Sequence, residues 1–127
     1  HMIAELHLSD TMAVQARAED LGRDEQHRAQ YDVAVARAVA KLATLSEYAL
    51  PFVRTGGVFI AQKGVDVDEE VRVATHALKI LGGRVREIVP VQLPGLALRH
   101  IIVIEKISAT PNTFPRRAGT PERQPIS

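Results

Sequence analysis

The segment "YDVAVARAVAKL", Tyr31 to Leu42, sets an apolar run, Val33 to Ala36 and then Ala38, around a single arginine, Arg37. A continuous run of this length predicts a strand over Asp32–Ala36 buried on both faces, as in a sheet with parallel strands. A guanidinium stays charged in proteins, and burying it unpaired is expensive. The cost falls away if Arg37 stands at the end of its strand, where solvent and neighbouring loops receive the head group. In open α/β sheets that is also where ligands bind, beyond the carboxyl ends of the strands. Arg37 therefore either meets a ligand or closes an ion pair, for instance with Glu19 or Asp20, that ties two loops together.

Downstream of this strand, Ala38, Leu42, Leu45 and Ala49 fall on one face of a helix that Pro51 ends or kinks. "RTGG" reads as a turn and "GVFIAQKG" (57–64) as a second buried strand. Asp66 is placed to cap the next helix, with Glu69 completing a capping-box-like pair. Val71, Ala74, Leu78 and Leu81 form its apolar stripe, and Gly82-Gly83 closes it. "VREIVPVQL" (85–93) is a strand whose Pro90 confines it to a sheet edge. "HIIVIEKI" (100–107) is a central strand. No helix separates these last two, so they form an antiparallel pair.

Upstream, "RDEQHRAQ" (23–30) is a charged linker, "RAEDLG" a short helix stopped at Gly22, and "MAVQA" (12–16) a short strand. "IAELHLSD" has a helical pattern, and His1-Met2 reads as a cloning scar, so the chain is expected to begin inside a larger fold. The alternation of strand and helix, ending in a hairpin, predicts a doubly wound α/β sheet with an antiparallel closing strand.

The 127 residues fit one domain. Aromatics are 4% of the chain, so aliphatic side chains must fill the core. A net charge of +1 gives no global reason to expect nucleic acid, and any basic patch must be local. The absence of cysteine removes disulfides, thiolate metal sites and a cysteine nucleophile, and suits a cytoplasmic protein. No apolar run approaches a membrane span. The histidines lack paired ligand spacing, so no metal site is expected.

The segments "ARAEDLG", "YDVAVARAVAKLATLSEYALPFVRTGGVFIAQKG", "LGGRV", "RHIIVIEKI" and "TPNTFPRRAGTPERQPI" occur in this order from Ala16 onward. In them the chain resembles the C-terminal half of the 16S rRNA (guanine-N7) methyltransferase G family, formerly called glucose-inhibited division protein B. The resemblance implies a Rossmann-like class I fold, S-adenosyl-L-methionine as cofactor and 16S rRNA or the small ribosomal subunit as substrate. It implies methylation of a guanine N7. The family's adenine-side contact falls on Ala18 and Glu19, and its cofactor-contacting arginine on Arg37. The family's glycine-rich loop and acidic ribose-binding position have no counterpart here, so these residues alone are expected to be inactive and to bind cofactor weakly or not at all. The first two strands of the family sheet are then missing, and the edge of Asp32–Ala36 is expected to re-pair with the first strand or to self-associate.

No general base is demanded of the fold, because guanine N7 already offers a lone pair; positioning and the cofactor do the work. Lys63 ends its strand on the same side of the sheet as Arg37 and is a candidate RNA contact, or a solvated strand-end lysine. The tail beyond Ser108 holds Arg116, Arg117 and Arg123 against Glu122, with four prolines to keep it extended and Phe114 to anchor it or stack on a base. Such a segment suits RNA backbone contact, or is simply a strapped-down terminus. A non-catalytic α/β module binding RNA or protein through this tail is the alternative reading.

Overall fold

The computed structural model describes residues 17–37, 40–64 and 67–127. A one-turn helix α1 (Ala18–Leu21) is followed by β1 (Tyr31–Arg37), α2 (Leu42–Ala49) and a 3-10 turn (Leu50–Phe52). Then come β2 (Val53–Lys63), α3 (Val67–Leu81), β3 (Gly83–Val91), β4 (Arg99–Lys106) and a single-turn α4 (Thr120–Arg123). The strands form one sheet in the order β1-β2-β4-β3. β1 and β2 are parallel, as a helical crossover between them requires, and both pairings of β4 are antiparallel. β4 is thus the central strand expected of "HIIVIEKI", and the proline-bearing β3 lies at an edge. The readings for residues 3–8, 12–16, Ala38 and Asp66 fall outside the described residues.

One face of the sheet makes the core. Phe59 and Ala61 of β2 and Ile102 and Ile104 of β4 alternate inward and are fully buried. They meet Leu42 and Leu45 of α2 and Ala74, Ala77, Leu78 and Leu81 of α3, so a period of two packs against a period of 3.6. Burial of a side chain such as Phe59 contributes about 2 kcal/mol.

The opposite face corrects the reading of β1 as buried on both sides. Register sets Val33 beside Val58, Val35 beside Ile60, and Ile60 beside Val103. Val35 is 72% exposed and Val33 49%. Ala34 and Ala36 alone turn toward the core. Among the described residues β1 has a single neighbour and no element covers this face, so half of its apolar run meets solvent.

"RTGG" is likewise not a turn. It opens β2, where the β1 register slips between Tyr31 and Val33. A Cβ on Gly57 would stand 2.5 Å from the Asp32 carbonyl oxygen, so the two backbones approach where only glycine fits. Gly82 has φ +89°, and a Cβ there would lie 2.2 Å from the Ser108 carbonyl oxygen. The helix end and the exit of β4 meet at that point, with the Ile107 and Ser108 amides donating to Gly82 O. No described helix is long and apolar enough to cross a membrane.

Candidate functional site

Because β1 and β2 run parallel, their carboxyl ends lie together, with Arg37 opposite Gln62. Beyond them opens a cleft of about 320 Å³ lined by Arg37, Gln62, Val91, Leu93, Leu96 and Arg99 among others. Arg37 is exposed and, among the described residues, makes no ion pair or side-chain hydrogen bond. The pairing with Glu19 or Asp20 weighed from sequence is not formed there.

Arg99, which sequence reasoning missed, brings a second guanidinium to this cleft. It starts β4, and its neighbour His100 pairs in register with Lys63. The preceding loop reads as a mere turn, yet it presents Leu93 and Leu96 at 54% and 60% exposed. The available signal was an arginine entering a central strand just where the parallel strands end.

Lys63 shares the end of the sheet with Arg37 but points to the other face, since side chains alternate along β2. Its ammonium donates to Ala40 O at 2.7 Å and pairs with Glu70 at 2.6 Å. Glu70 also accepts from the Leu42 amide, 2.8 Å, and so caps α2 from α3. Lys63 is neither a solvated lysine nor free for a ligand. It locks β2, α2 and α3 beneath the cleft.

Ala18 and Glu19 open α1. The Glu19 side chain is buried, and its carboxylate accepts from the Gly119 amide at 2.7 Å and from Arg17 at 3.0 Å. Burial pushes its pKa up, but the Gly119 amide, its own amide and Arg17 together outweigh that and hold it below the usual carboxylate range. The structure therefore joins Glu19 to the tail and records no contact between it and Arg37.

The tail is not an extended arm. Arg28 donates to the carbonyls of Gly22, Thr110, Pro111 and Phe114 at 2.7–3.0 Å. Thr110 donates to Leu81 O and Thr44 to Pro121 O, both buried. Arg116 spends its guanidinium and its backbone amide on Glu47, which is fully buried. Phe114 packs against the core. Of the tail arginines, Arg117 and Arg123 remain exposed.

The family model for GidB, rRNA small subunit methyltransferase G, matches residues 1–102. The "Ribosomal RNA small subunit methyltransferase G" of Roseiflexus castenholzii is 52% identical over 126 residues, covering 99% of this chain and 54% of the relative. The protein of that name from Alkaliphilus metalliredigens is 50% identical over 123 residues, covering 96% of this chain and 52% of its own. The chain thus spans about half the length of the curated relatives it matches. A T. thermophilus 16S rRNA N2 G1207 methyltransferase, solved with AdoMet and guanosine, superposes with TM-score 0.53 at 20% identity over 86% of this chain and 28% of that one. The M1.HpyAVI–SAM complex gives 0.53 at 14% identity, over 76% and 53%. These likenesses show the fold to be the Rossmann-like one of such methyltransferases. With the family model spanning most of its length and relatives half identical along nearly all of it, the chain belongs to the rRNA small subunit methyltransferase G family.

Proposed function

We propose that this chain is the cofactor-rim part of an S-adenosyl-L-methionine-dependent methyltransferase that acts on N7 of a guanine in 16S ribosomal RNA, free or within the small subunit. The observation that carries the reading is Arg37, a cation without a side-chain partner among the described residues, at the carboxyl end of a parallel pair and on an open cleft. The residues fit the cofactor in part. Arg37 is available to it and Ala18 borders its adenine side, whereas Glu19, engaged with Gly119, shapes α1 rather than offering a free carboxylate. When bound, the cofactor supplies an electrophilic methyl group on a sulfonium. The chain's own task is to orient the guanine, because N7 already carries the attacking lone pair and needs no base. Arg99, Arg117 and Arg123 are the cations left to meet RNA phosphates, and such contacts weaken as salt rises. Lys63 and Arg116 support the site from within.

In the full-length protein, Arg37→Ala is expected to lower cofactor affinity at least about tenfold, roughly 1.4 kcal/mol, with the fold intact. Unchanged affinity would return Arg37 to a loop role. Mapping the methylated atom in 16S rRNA tests the N7 assignment directly, and a methyl group on an exocyclic amine would refute it.

The 127 residues contain no glycine-rich turn leading from a strand into a helix N-terminus, the feature that cradles such cofactors. Calorimetric titration of this chain is therefore expected to show no micromolar binding of S-adenosylmethionine; a micromolar constant would refute the expectation that these residues alone bind it weakly or not at all. The edge of β1, unpaired among the described residues and with Val33 and Val35 beside it, is expected to pair with a second copy. Light scattering behind size exclusion checks this, and a monomer across the concentration range would contradict it.

A further inference from the structure

The amino end of the sheet holds a second cleft, of about 280 Å³, lined by Arg28, Pro51, Thr55, Lys106, Asn112 and, at the rim, Glu25. From Thr55 to Gln62 the extended chain of β2 runs roughly 20 Å, so this cleft is well separated from the one at Arg37. Its charges are unusual. Lys106 is 2% exposed, and its ammonium donates to Leu50 O at 2.6 Å and Val53 O at 2.8 Å. An ammonium carries three donors, so one is left over. Arg28, half-buried beside it, has all its described partners among backbone carbonyls.

Among the described residues no carboxylate pairs with either cation, and Glu25, exposed on its turn, stays beyond ion-pair distance. Two charges taken from water without a counter-ion are costly, and a bound anion would offset both. Burial and the Arg28 charge also pull the Lys106 pKa down, the direction expected of an under-compensated cation. Asn112 and Thr55 add neutral polar groups at the mouth.

We propose that this cleft is a binding site for a phosphate group, held by the spare Lys106 donor and the positive field of Arg28. The proposal stands independently of the cofactor reading, since none of these residues belongs to the Arg37 cleft. The ligand is either a phosphodiester of RNA or a free phosphate.

The experiment is a titration of the 127-residue chain with sodium phosphate at fixed ionic strength, balanced with sodium chloride, following the amide resonances of 51–55 and 106–112. Saturable shifts confined to these segments are expected. Lys106→Met should weaken the binding at least tenfold. Asn112→Glu, at an exposed position that leaves the fold untouched, should weaken it at least fivefold by placing a carboxylate over Lys106. Shifts that fail to saturate, or phosphate affinity unchanged in Asn112→Glu, overturn the site. A short single-stranded RNA then identifies the source: competition for the same amides assigns a phosphodiester, and none assigns a free phosphate, the site standing in either case.

Discussion

Replacing Arg116 with alanine is expected to cost the fold about 3–5 kcal/mol, read as a lower midpoint in urea or heat. The magnitude follows from what remains behind. Glu47 is fully buried on α2 and accepts from the Arg116 backbone amide at 2.7 Å, from its Nε at 3.0 Å and from its terminal nitrogen at 2.8 Å. The carboxylate in turn holds the guanidinium pKa above its ordinary value. Taking away the arginine strands a negative charge inside the protein, which costs far more than the pair gained on forming. Glu47→Gln removes the charge but keeps only one acceptor oxygen for the Arg116 donors, its amide nitrogen accepting nothing, so it should cost less than Arg116→Ala but not be neutral. Equal losses in the two variants would show that packing, not charge, holds the tail.

The consequence reaches the site. The tail also ties down α1 through Glu19 and Gly119, and the 22–30 turn through Arg28. A tail loosened at Arg116 should therefore loosen α1, the segment proposed for the adenine side.

Much of this fold could be read from the chain because its signals are local. The apolar run in "HIIVIEKI", the stripe from Val71 to Leu81 and the ring of Pro90 each act over one element, and each gives the right partner or edge. Arg37 was legible for the same reason, since an apolar run that stops at a cation marks a strand end. What failed depended on residues distant in sequence. Val35 looks like core and is mostly exposed, because burial requires a neighbour that pattern alone does not supply. Lys63 and Arg116 looked like free surface cations, and both are neutralised by glutamates, Glu70 on α3 and Glu47 on α2. The one available hint was Glu47 itself, an acid amid the largely apolar "ATLSEYAL". A buried carboxylate demands a cation, and the sequence left several to choose from.

Lys106 yields the second large effect, and it appears on raising the pH. Burial, with Arg28 adding its charge, lowers the Lys106 pKa from 10.5 to about 8. Below pH 8 the ammonium is charged in both folded and unfolded chains, and the folded state carries the full penalty. Between about 8 and 10.5 the unfolded chain binds more protons than the folded one, so stability rises with pH. Each tenfold difference in proton affinity is worth about 1.4 kcal/mol, which makes the gain between pH 7 and 10 roughly 2–3 kcal/mol. Among the described residues the charged groups facing Lys106 are Arg28 on the 22–30 turn and Glu25 at the rim, and no titratable side chain from 107–112 joins them. Other residues titrate over the same range, so the measurement is a difference: unfolding free energy against pH for the wild type and for Lys106→Met, in phosphate-free buffer. The variant leaves Leu50 O and Val53 O without their donor, which changes its stability at every pH but not its slope. The wild type should gain on the variant by roughly 2–3 kcal/mol over that window, and parallel curves would mean that the Lys106 ammonium is as well solvated as a surface lysine.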